Sequence, residues 1–426
     1  MSGDPSLTGL ASRRAAWRVL DAVREGTPFE VALAEALADL SGPDRRLAHE
    51  LAAGTMRSAG VLDLAIAPYV TRGLESVTPS IRELLRLGAY QLTALDRIPP
   101  HAAVNTSVAL ARESSHPKAA PFVNAVLRRV ADGAPRVVPG RGSHPGWLVT
   151  RWTRQFGSAE TARLLGWNDT RPRLVIQPAR WSLDQLEAAW RQAGVEYGVA
   201  AFGAGLMPEA SRPQDLPGFH EGGFIVQDAA QALVVRFCGL DAGSTVYDAC
   251  AAPGGKSIAL GREARMVLAA DRNLRRVRRL QENLQRAGSG REFACVADAE
   301  TPPVRPVDAA ILDAPCLGTG VLARHPDARW RVRPEAIGRL VSQAARLLQG
   351  VAETVRPGGL LCFSTCSLEP EENEMQIDKF LSARPDFRRE SGPAPAELLS
   401  PAGDLRILPQ RHGMDGAYAA RLRRSV

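Results

Sequence analysis

The sequence predicts a multidomain protein: an all-α N-terminal domain, a small α+β subdomain, and an α/β domain built on a buried parallel sheet. Three observations predict this order. Residues 8 to 130 read as one amphipathic helix after another. A stretch with four glycines and three prolines, ADGAPRVVPGRGSHPG at 131 to 146, then interrupts the pattern. From Gly223 onward, short apolar runs alternate with helical segments, the rhythm of βαβ units. At roughly 150 residues per domain, the 426 residues suit about three domains, with expected limits of 1–135, 144–220 and 221–426.

The N-terminal helices are expected at 11–25, 29–40, 43–60, 62–69, 79–95, 101–112 and 121–131. Apolar residues recur at helical spacing, as in Ile81, Leu84, Leu85, Leu87 and Gly88. Pro43, Pro79 and Pro121 stand where first turns should be. From Trp147 to about Gly218, two short helices, the apolar run RLVIQPA and the helix SLDQLEAAWRQAG suggest the α+β subdomain. Beyond it, strands are expected in VYDACAA (246–252), MVLAAD (266–271), REFACVAD (291–298), VDAAILDAP (307–315) and LLCFSTCS (360–367). The helices between them are placed near Lys256, at 274–285, at 334–354 and at 370–381.

Composition narrows the class. There are 53 basic and 46 acidic residues, a net charge of +7, and only Lys118, Lys256 and Lys379 are lysines, so fifty of the basic residues are arginines. Guanidinium groups suit bidentate phosphate contact and base stacking, which favours a nucleic-acid partner. No uncharged run of about 18 apolar residues occurs, and MSGDPSLTGLASRR lacks the apolar centre of a signal peptide. A cytoplasmic chain without membrane contact is expected. The six cysteines form no C-x-x-C pair and lie mostly in apolar stretches, which argues against a disulfide scaffold or a metal site.

The chemistry collects at the predicted strand ends, where open α/β sheets bind ligands. The first strand ends in DACAAPGGKS, residues 248–257. Its glycines admit close backbone approach, yet it is not a phosphate loop, because Cys250 stands where the first glycine of that motif belongs. Asp248, Asp271 and Asp298 fall at three consecutive strand ends, and together predict an adenosine-containing cofactor lying across the sheet edge. The fourth strand ends in DAPCLGTG (313–320) and the fifth in STCSLEPEEN (364–373). Cys238, Cys295 and Cys362 lie inside apolar runs and read as small core residues. Cys316 and Cys366 lie just past strand termini, where a thiolate can form and add to an electrophilic centre.

These three motifs resemble the hallmarks of the S-adenosylmethionine-dependent RNA 5-methylcytosine methyltransferases. YQLTALDRIPPHAAVNTSVALA (90–111) and PFVNAVLRRV (121–130) resemble the NusB-like RNA-binding domain fused ahead of the enzyme in that family's bacterial 16S ribosomal RNA branch. The resemblance implies a Rossmann-like methyltransferase domain at 221–426 and S-adenosylmethionine as cofactor. Cys250, Ala251, Ala252, Pro253, Gly254, Gly255 and Lys256 would then wrap the methionine end of the cofactor. Asp271 would take the ribose hydroxyls, Asp298 would lie near the adenine, and Asp313 would face the methyl group and the base. It further implies Cys366 as the nucleophile toward cytosine carbon 6, Cys316 in release of the product, and Lys256 as a carboxylate partner or an orienting group. The opposite assignment, with Cys316 as nucleophile, stays open, because a proline-cysteine dipeptide has that role in DNA cytosine methyltransferases. Two other functions also stay open: a transfer RNA methyltransferase, and a non-catalytic RNA-binding or antitermination-type factor on the same fold.

The partner implied is 16S ribosomal RNA, in an unassembled or partly assembled small subunit, bound by a monomer. Arg272, Arg275, Arg276, Arg278, Arg279, Arg286 and Arg291 form one basic cluster, read as a solvated helix face. Arg324, Arg329, Arg331 and Arg333 form a second, expected to meet RNA phosphates. The C-terminal HGMDGAYAARLRR departs from the family pattern, with Ala417-Tyr418 where paired phenylalanines are expected.

Overall fold

The computed structural model describes residues 9–133, 142–209 and 212–426. Residues 1 to 8 of the N-terminal stretch and residues 134 to 141 of the expected linker lie outside the described residues. The chain forms two compact units, one of Met1–Arg171 with Leu322–Arg331, the other of Pro172–Val321 with Val332–Val426.

The first unit is helical: α1 (Leu10–Arg24), α2 (Phe29–Ala36), α3 (Gly42–Arg57), α4 (Ala59–Ile66), α5 (Pro79–Ala94), α6 (Pro100–Glu113), α7 (Ala120–Gly133), α8 (Gly146–Phe156) and α9 (Ser158–Asn168). Proline occupies one of the first two positions of α3, α5 and α6, where its missing N–H costs nothing. The apolar stripe of α5 is buried at Ile81, Leu84, Leu85 and Leu87, against Leu51, Leu110, Val123 and Leu127. Burying such a leucine is worth about 1.5–3 kcal/mol, so this face, not helix propensity, holds the bundle together.

The second unit opens with β1 (Ile176–Pro178), α10 (Leu183–Gln192), β2 (Tyr197–Val199), β3 (Leu206–Pro208) and β4 (Phe224–Val226), a four-stranded sheet ordered β2-β3-β1-β4. Ser182 and Gln185 close a capping box at the start of α10. Then follow α11 (Ala229–Cys238), β5 (Thr245–Asp248), α12 (Gly255–Gly261), β6 (Met266–Asp271), α13 (Leu274–Ala287), β7 (Glu292–Val296) and β8 (Val307–Asp313). After β8 the chain enters the first unit, contributing α14 (Ala328–Arg331), and returns for α15 (Glu335–Glu353), β9 (Val355–Thr365), α16 (Glu374–Ala383), β10 (Phe387–Glu390), β11 (Leu405–Ile407), α17 (Pro409–His412) and β12 (Ala417–Arg424).

The large sheet runs β10-β12-β9-β8-β5-β6-β7, with β11 paired to β12. The five expected strands, β5 to β9, run parallel to one another. The expectation of a purely parallel sheet is corrected by the C-terminal strands, which pair antiparallel: β12 with β9, and β10 and β11 with β12. Arginines that resemble a charged tail are accommodated because Arg421 and Arg423 both pair with Glu390, at 2.9 and 2.8 Å.

The stretch 144–220, read as one α+β subdomain, is divided: α8 and α9 belong to the first unit and the strands to the second. Arg329 supplies the physical reason. Its side chain is fully buried and donates to Asp169 Oδ1 at 2.7 Å and to the carbonyls of Asn168, Arg57, Ser143 and Leu322 at 2.7–3.3 Å. Beside it His144 accepts from Asn168 Nδ2 at 3.0 Å and contacts Ser143 Oγ at 2.8 Å. Burial, then the Arg329 cation, hold His144 well below the usual histidine range, so it packs as a neutral ring.

Arg329 therefore does not meet RNA phosphate, contrary to expectation, because its guanidinium is spent on one side chain and four carbonyls. Arg331 pairs with Asp327 at 2.7 Å, and Arg333 donates to the Val332 carbonyl at 3.0 Å. Arg329→Ala removes the shared donor from a dry site and should lower the free energy of unfolding by about 3–5 kcal/mol. Urea denaturation of the full chain measures this, and a loss under about 1 kcal/mol would contradict the anchoring role.

Candidate active site at the carboxyl edge of the sheet

The loop after β5 is pinned from both sides. Ala249 N–H donates to the Ile311 carbonyl of β8 at 2.9 Å, and Ala251 N–H to the Ala270 carbonyl of β6 at 2.8 Å. The turn into α12 runs through Gly254 at φ +107°, where a Cβ would also lie 2.7 Å from Leu280 Cδ1. Glycine is required there twice over, by conformation and by space. Gly255 faces the Gln227 amide, 3.0 Å from where its Cβ would be. Cys250 is partly buried, with its thiol pushed up to about 12 by burial and then by Asp248, so it is no thiolate at neutral pH.

The turn sends Lys256 inward. Its ammonium donates to Asp313 Oδ2 at 2.7 Å and to Gln231 Oε1 of α11. Burial alone would depress the Lys256 pKa, but the Asp313 carboxylate outweighs it and raises the value, so the group stays charged. Asp313 Oδ1 accepts from Ser364 Oγ at 3.0 Å, across the β8–β9 register that pairs these two residues. Asp313 remains 36% exposed while Lys256 is only 10% exposed, so the carboxylate is the partner open to a substrate.

The remaining acids differ among themselves. Asp248 is buried beneath the loop and accepts from Ser257 Oγ at 2.7 Å; burial raises its carboxyl to about 6. Asp271 is buried too. One of its oxygens accepts from Asn273 N–H at 2.9 Å, while Oδ2 faces Arg276 at 3.3 Å and accepts no hydrogen bond. That oxygen suits a hydroxyl donor. Asp298, two residues beyond β7, is exposed and accepts from Glu300 N–H at 2.9 Å.

Cys316 and Cys366 are fifty positions apart in the chain and their sulfurs lie 3.5 Å apart. Their turns are joined at several points: Gly320 N–H donates to the Cys366 carbonyl at 2.9 Å, Leu368 N–H to Thr319 Oγ1 at 2.9 Å, and Gly416 N–H to the Gly320 carbonyl at 2.8 Å. A Cβ on Gly320 would sit 2.8 Å from both the Cys366 carbonyl and Gly416 Cα, so only glycine allows the approach. The hydrogen bond to Cys366, then burial, hold the Cys316 thiol well above the cysteine range. Cys316 is therefore a thiol at neutral pH.

Sequence reading missed Gln231 and Ser364, which complete the Lys256–Asp313 pair, and Glu372, which accepts from the Leu317 amide. Only the isolated amide on apolar α11 hinted at Gln231. Among the described residues no group of three or more histidine, cysteine or acidic side chains could hold a metal ion, and no helix is long and apolar enough to cross a membrane. At the departure noted near the C-terminus, Tyr418 is buried and donates to Asp404 Oδ2 at 2.6 Å. Most of the first basic cluster is solvent-exposed, as expected; Arg286 instead lies over Phe219, 4.6 Å from the ring centroid, and donates to the Phe219 and Phe224 carbonyls.

An open α/β sheet with a glycine turn after one strand and an acid ending the next defines a Rossmann-like enzyme domain of the class that holds a nucleoside cofactor at the carboxyl edge. The comparisons agree: residues 238–423 match the family model 16S rRNA methyltransferase RsmB/F, and residues 10–132 match the NusB family. The chain belongs to the RsmB/F family of 16S rRNA methyltransferases. It is 34% identical to the probable ribosomal RNA small subunit methyltransferase B of Synechocystis sp., over 98% of this chain and 100% of that protein. It is also 34% identical to the ribosomal RNA small subunit methyltransferase B of Xanthomonas campestris pv. campestris, over 99% of each. The fold matches the crystal structure of PH0851 with a TM-score of 0.82 at 24% identity, covering 97% of this chain and 98% of that one. NSun6 from Pyrococcus horikoshii, solved with SFG, matches at a TM-score of 0.58 and 18% identity, over 66% of this chain and 98% of that one.

The raised Asp248 carboxyl has a stability consequence. The folded chain holds its proton to about pH 6 and the unfolded chain only to about pH 4, so its contribution is favourable at low pH and is lost as pH rises through that window. Asp248→Asn has no such titration. Urea unfolding from pH 4 to 6.5 should show wild type losing stability relative to the variant; a pH-independent difference would contradict a buried, titrating Asp248.

Proposed function

We propose that this protein transfers a methyl group from S-adenosylmethionine to carbon 5 of a cytosine in 16S ribosomal RNA, through a covalent adduct with Cys366. The observation that carries this reading is the pair of thiols 3.5 Å apart beside the Lys256–Asp313 ion pair, all at the ends of β8 and β9 or in the turn into α12. S-adenosylmethionine, when bound, supplies the electrophilic methyl group. The residues present fit it: Cys250 to Lys256 form a loop whose glycines leave no room for side chains, Asp271 Oδ2 awaits a hydroxyl donor, and Asp298 and Asp313 stand to either side in strand order.

Carbon 5 of cytosine is a poor nucleophile, and addition of the Cys366 thiolate at carbon 6 moves electron density onto it. The proton that Cys366 gives up passes to the ring nitrogen N3, and Asp313, open on one side, accepts the hydrogen bond from the new N3–H. Lys256 is committed to Asp313 and Gln231, which favours an orienting role over a cofactor-carboxylate contact. To finish, Cys316, ionised by loss of its proton to water, takes the proton from carbon 5, the electrons of that C–H bond re-form the 5,6 double bond, and Cys366 leaves as a thiolate and recovers its proton from N3. The Cys316 thiol, held well above the usual cysteine range by the hydrogen bond to Cys366 and by burial, gives a strong base once ionised, which supports it for release. The target base must be unstacked to reach the thiols. The enzyme acts as a cytoplasmic monomer on an unassembled or partly assembled small subunit.

Cys366→Ser should lower methylation by about 10⁴-fold or more and form no covalent complex. Cys316→Ser should accumulate RNA covalently bound to protein on a denaturing gel. The reverse pattern would exchange the two roles. Bisulfite sequencing of total RNA from cells with and without the gene should show one 16S 5-methylcytosine lost; no lost 5-methylcytosine would overturn the reaction assigned here.

A further inference from the structure

One buried carboxylate at this edge has no part in the chemistry above. Glu372 lies in the turn after Cys366, is 2% exposed, and directs both oxygens at the Leu317 amide, at 2.9 and 3.2 Å. Leu317 follows Cys316 directly. The contact therefore runs from the segment after one cysteine to the backbone beside the other. The neighbouring Asn373 secures the Glu372 side of it, accepting from Thr365 Oγ1 at 2.5 Å and donating to the Ser367 carbonyl at 2.9 Å.

A carboxylate is an expensive way to satisfy one amide, because a neutral acceptor would do so without the cost of burying a charge. The Leu317 amide and the Ser367 hydroxyl hydrogen-bond to it, but burial and the nearby Glu369 and Glu371 dominate and raise the carboxyl to about 7. Its negative charge in turn faces the Cys316 thiol and disfavours ionisation there.

We propose that Glu372 is a positioning residue for the release step: its carboxylate fixes the Cys316 turn through the Leu317 amide, and so sets the placement of the Cys316 sulfur over the adduct. This rests on the assignment of Cys366 to attack and Cys316 to release. Adduct formation uses Cys366 and Asp313 but not Cys316, so disturbing Glu372 should slow release far more than addition.

The test uses the full chain, a 16S ribosomal RNA transcript and S-adenosylmethionine, with adduct read on denaturing gels beside first-turnover and steady-state rates. Glu372→Ala should lower steady-state turnover about tenfold more than first-turnover methylation, and should accumulate adduct. Glu372→Gln keeps a carbonyl oxygen for the Leu317 amide and should restore most of the release rate. Protonation of the carboxyl below about pH 7 leaves a carbonyl oxygen on the Leu317 amide, as glutamine does, so between pH 8 and 6 the adduct fractions of wild type and Glu372→Gln should stay together, both well below that of Glu372→Ala. Should Glu372→Ala fail to fold, Glu372→Asp, whose carboxylate is drawn back by one methylene, carries the same readout.

Cys316→Ser separates the two ways of failing. If it traps adduct while Glu372→Ala and Glu372→Asp release product as fast as wild type, or lose addition and release in equal measure, the Glu372 assignment is overturned. If Cys316→Ser traps nothing, the underlying assignment of the cysteines falls and this inference falls with it.

Discussion

An ammonium group taken out of water must find compensating partners, and at the carboxyl edge of this sheet Lys256 finds them in two directions: Asp313 at the end of β8 and Gln231 on α11. Asp313 is fixed in turn by Ser364 of β9, so one charge ties α11, α12, β8 and β9 together. Removing either member of such a pair strands the other, which makes the arrangement all-or-none rather than adjustable. The open carboxylate takes its position from it, while backbone hydrogen bonds of their own hold the glycine turn and the two cysteine turns around it. Asp248 and Glu372 lie within the same edge, and burial, against which neither has an ion pair among the described residues, raises both carboxyls.

What could be read from the sequence follows from how local each determinant is. The helices of the first unit were legible because proline starts and a buried stripe such as Ile81 to Leu87 are written within one element. The five parallel strands were legible as apolar runs, since a strand covered on both faces has no polar alternation to disguise it. Strands β10, β11 and β12 were not. They are short or arginine-rich, and what makes them strands is pairing with β9, more than fifty residues before β12, together with neutralisation by Glu390. The membership of α8 and α9 was hidden for a similar reason, because the arginine that claims them lies about 160 positions further on.

The site divides along the same line. Gly254, Cys316 and Cys366 occupy tight turns whose residue types are dictated on the spot, and the motifs displayed them. Gln231 has ordinary sequence surroundings and Ser364 stands in a motif read for its cysteine, and both acquire meaning only when α11 and β9 converge on Lys256 and Asp313. Arg329 is the instructive reversal. Grouped with its neighbours it resembled a phosphate contact, yet full burial and five hydrogen bonds inside the protein put it out of a ligand's reach. A count of arginines measures charge; which of those charges remain available is decided by carbonyls and carboxylates elsewhere in the chain.

The passage of residues 322–331 through the first unit also orders events during synthesis. The first 171 residues leave the ribosome as a helical bundle that still lacks α14 and the guanidinium binding Arg57, Ser143 and Asn168. That piece is delivered only after about 150 more residues have been translated, a delay of roughly 10–30 s at bacterial elongation rates. By then the chain has also emitted β1 through β8 and the Cys316 turn. The bundle that begins the protein is therefore not the first part to be finished, and until Arg329 arrives α8 and α9 present nascent-chain surface that chaperones can reach.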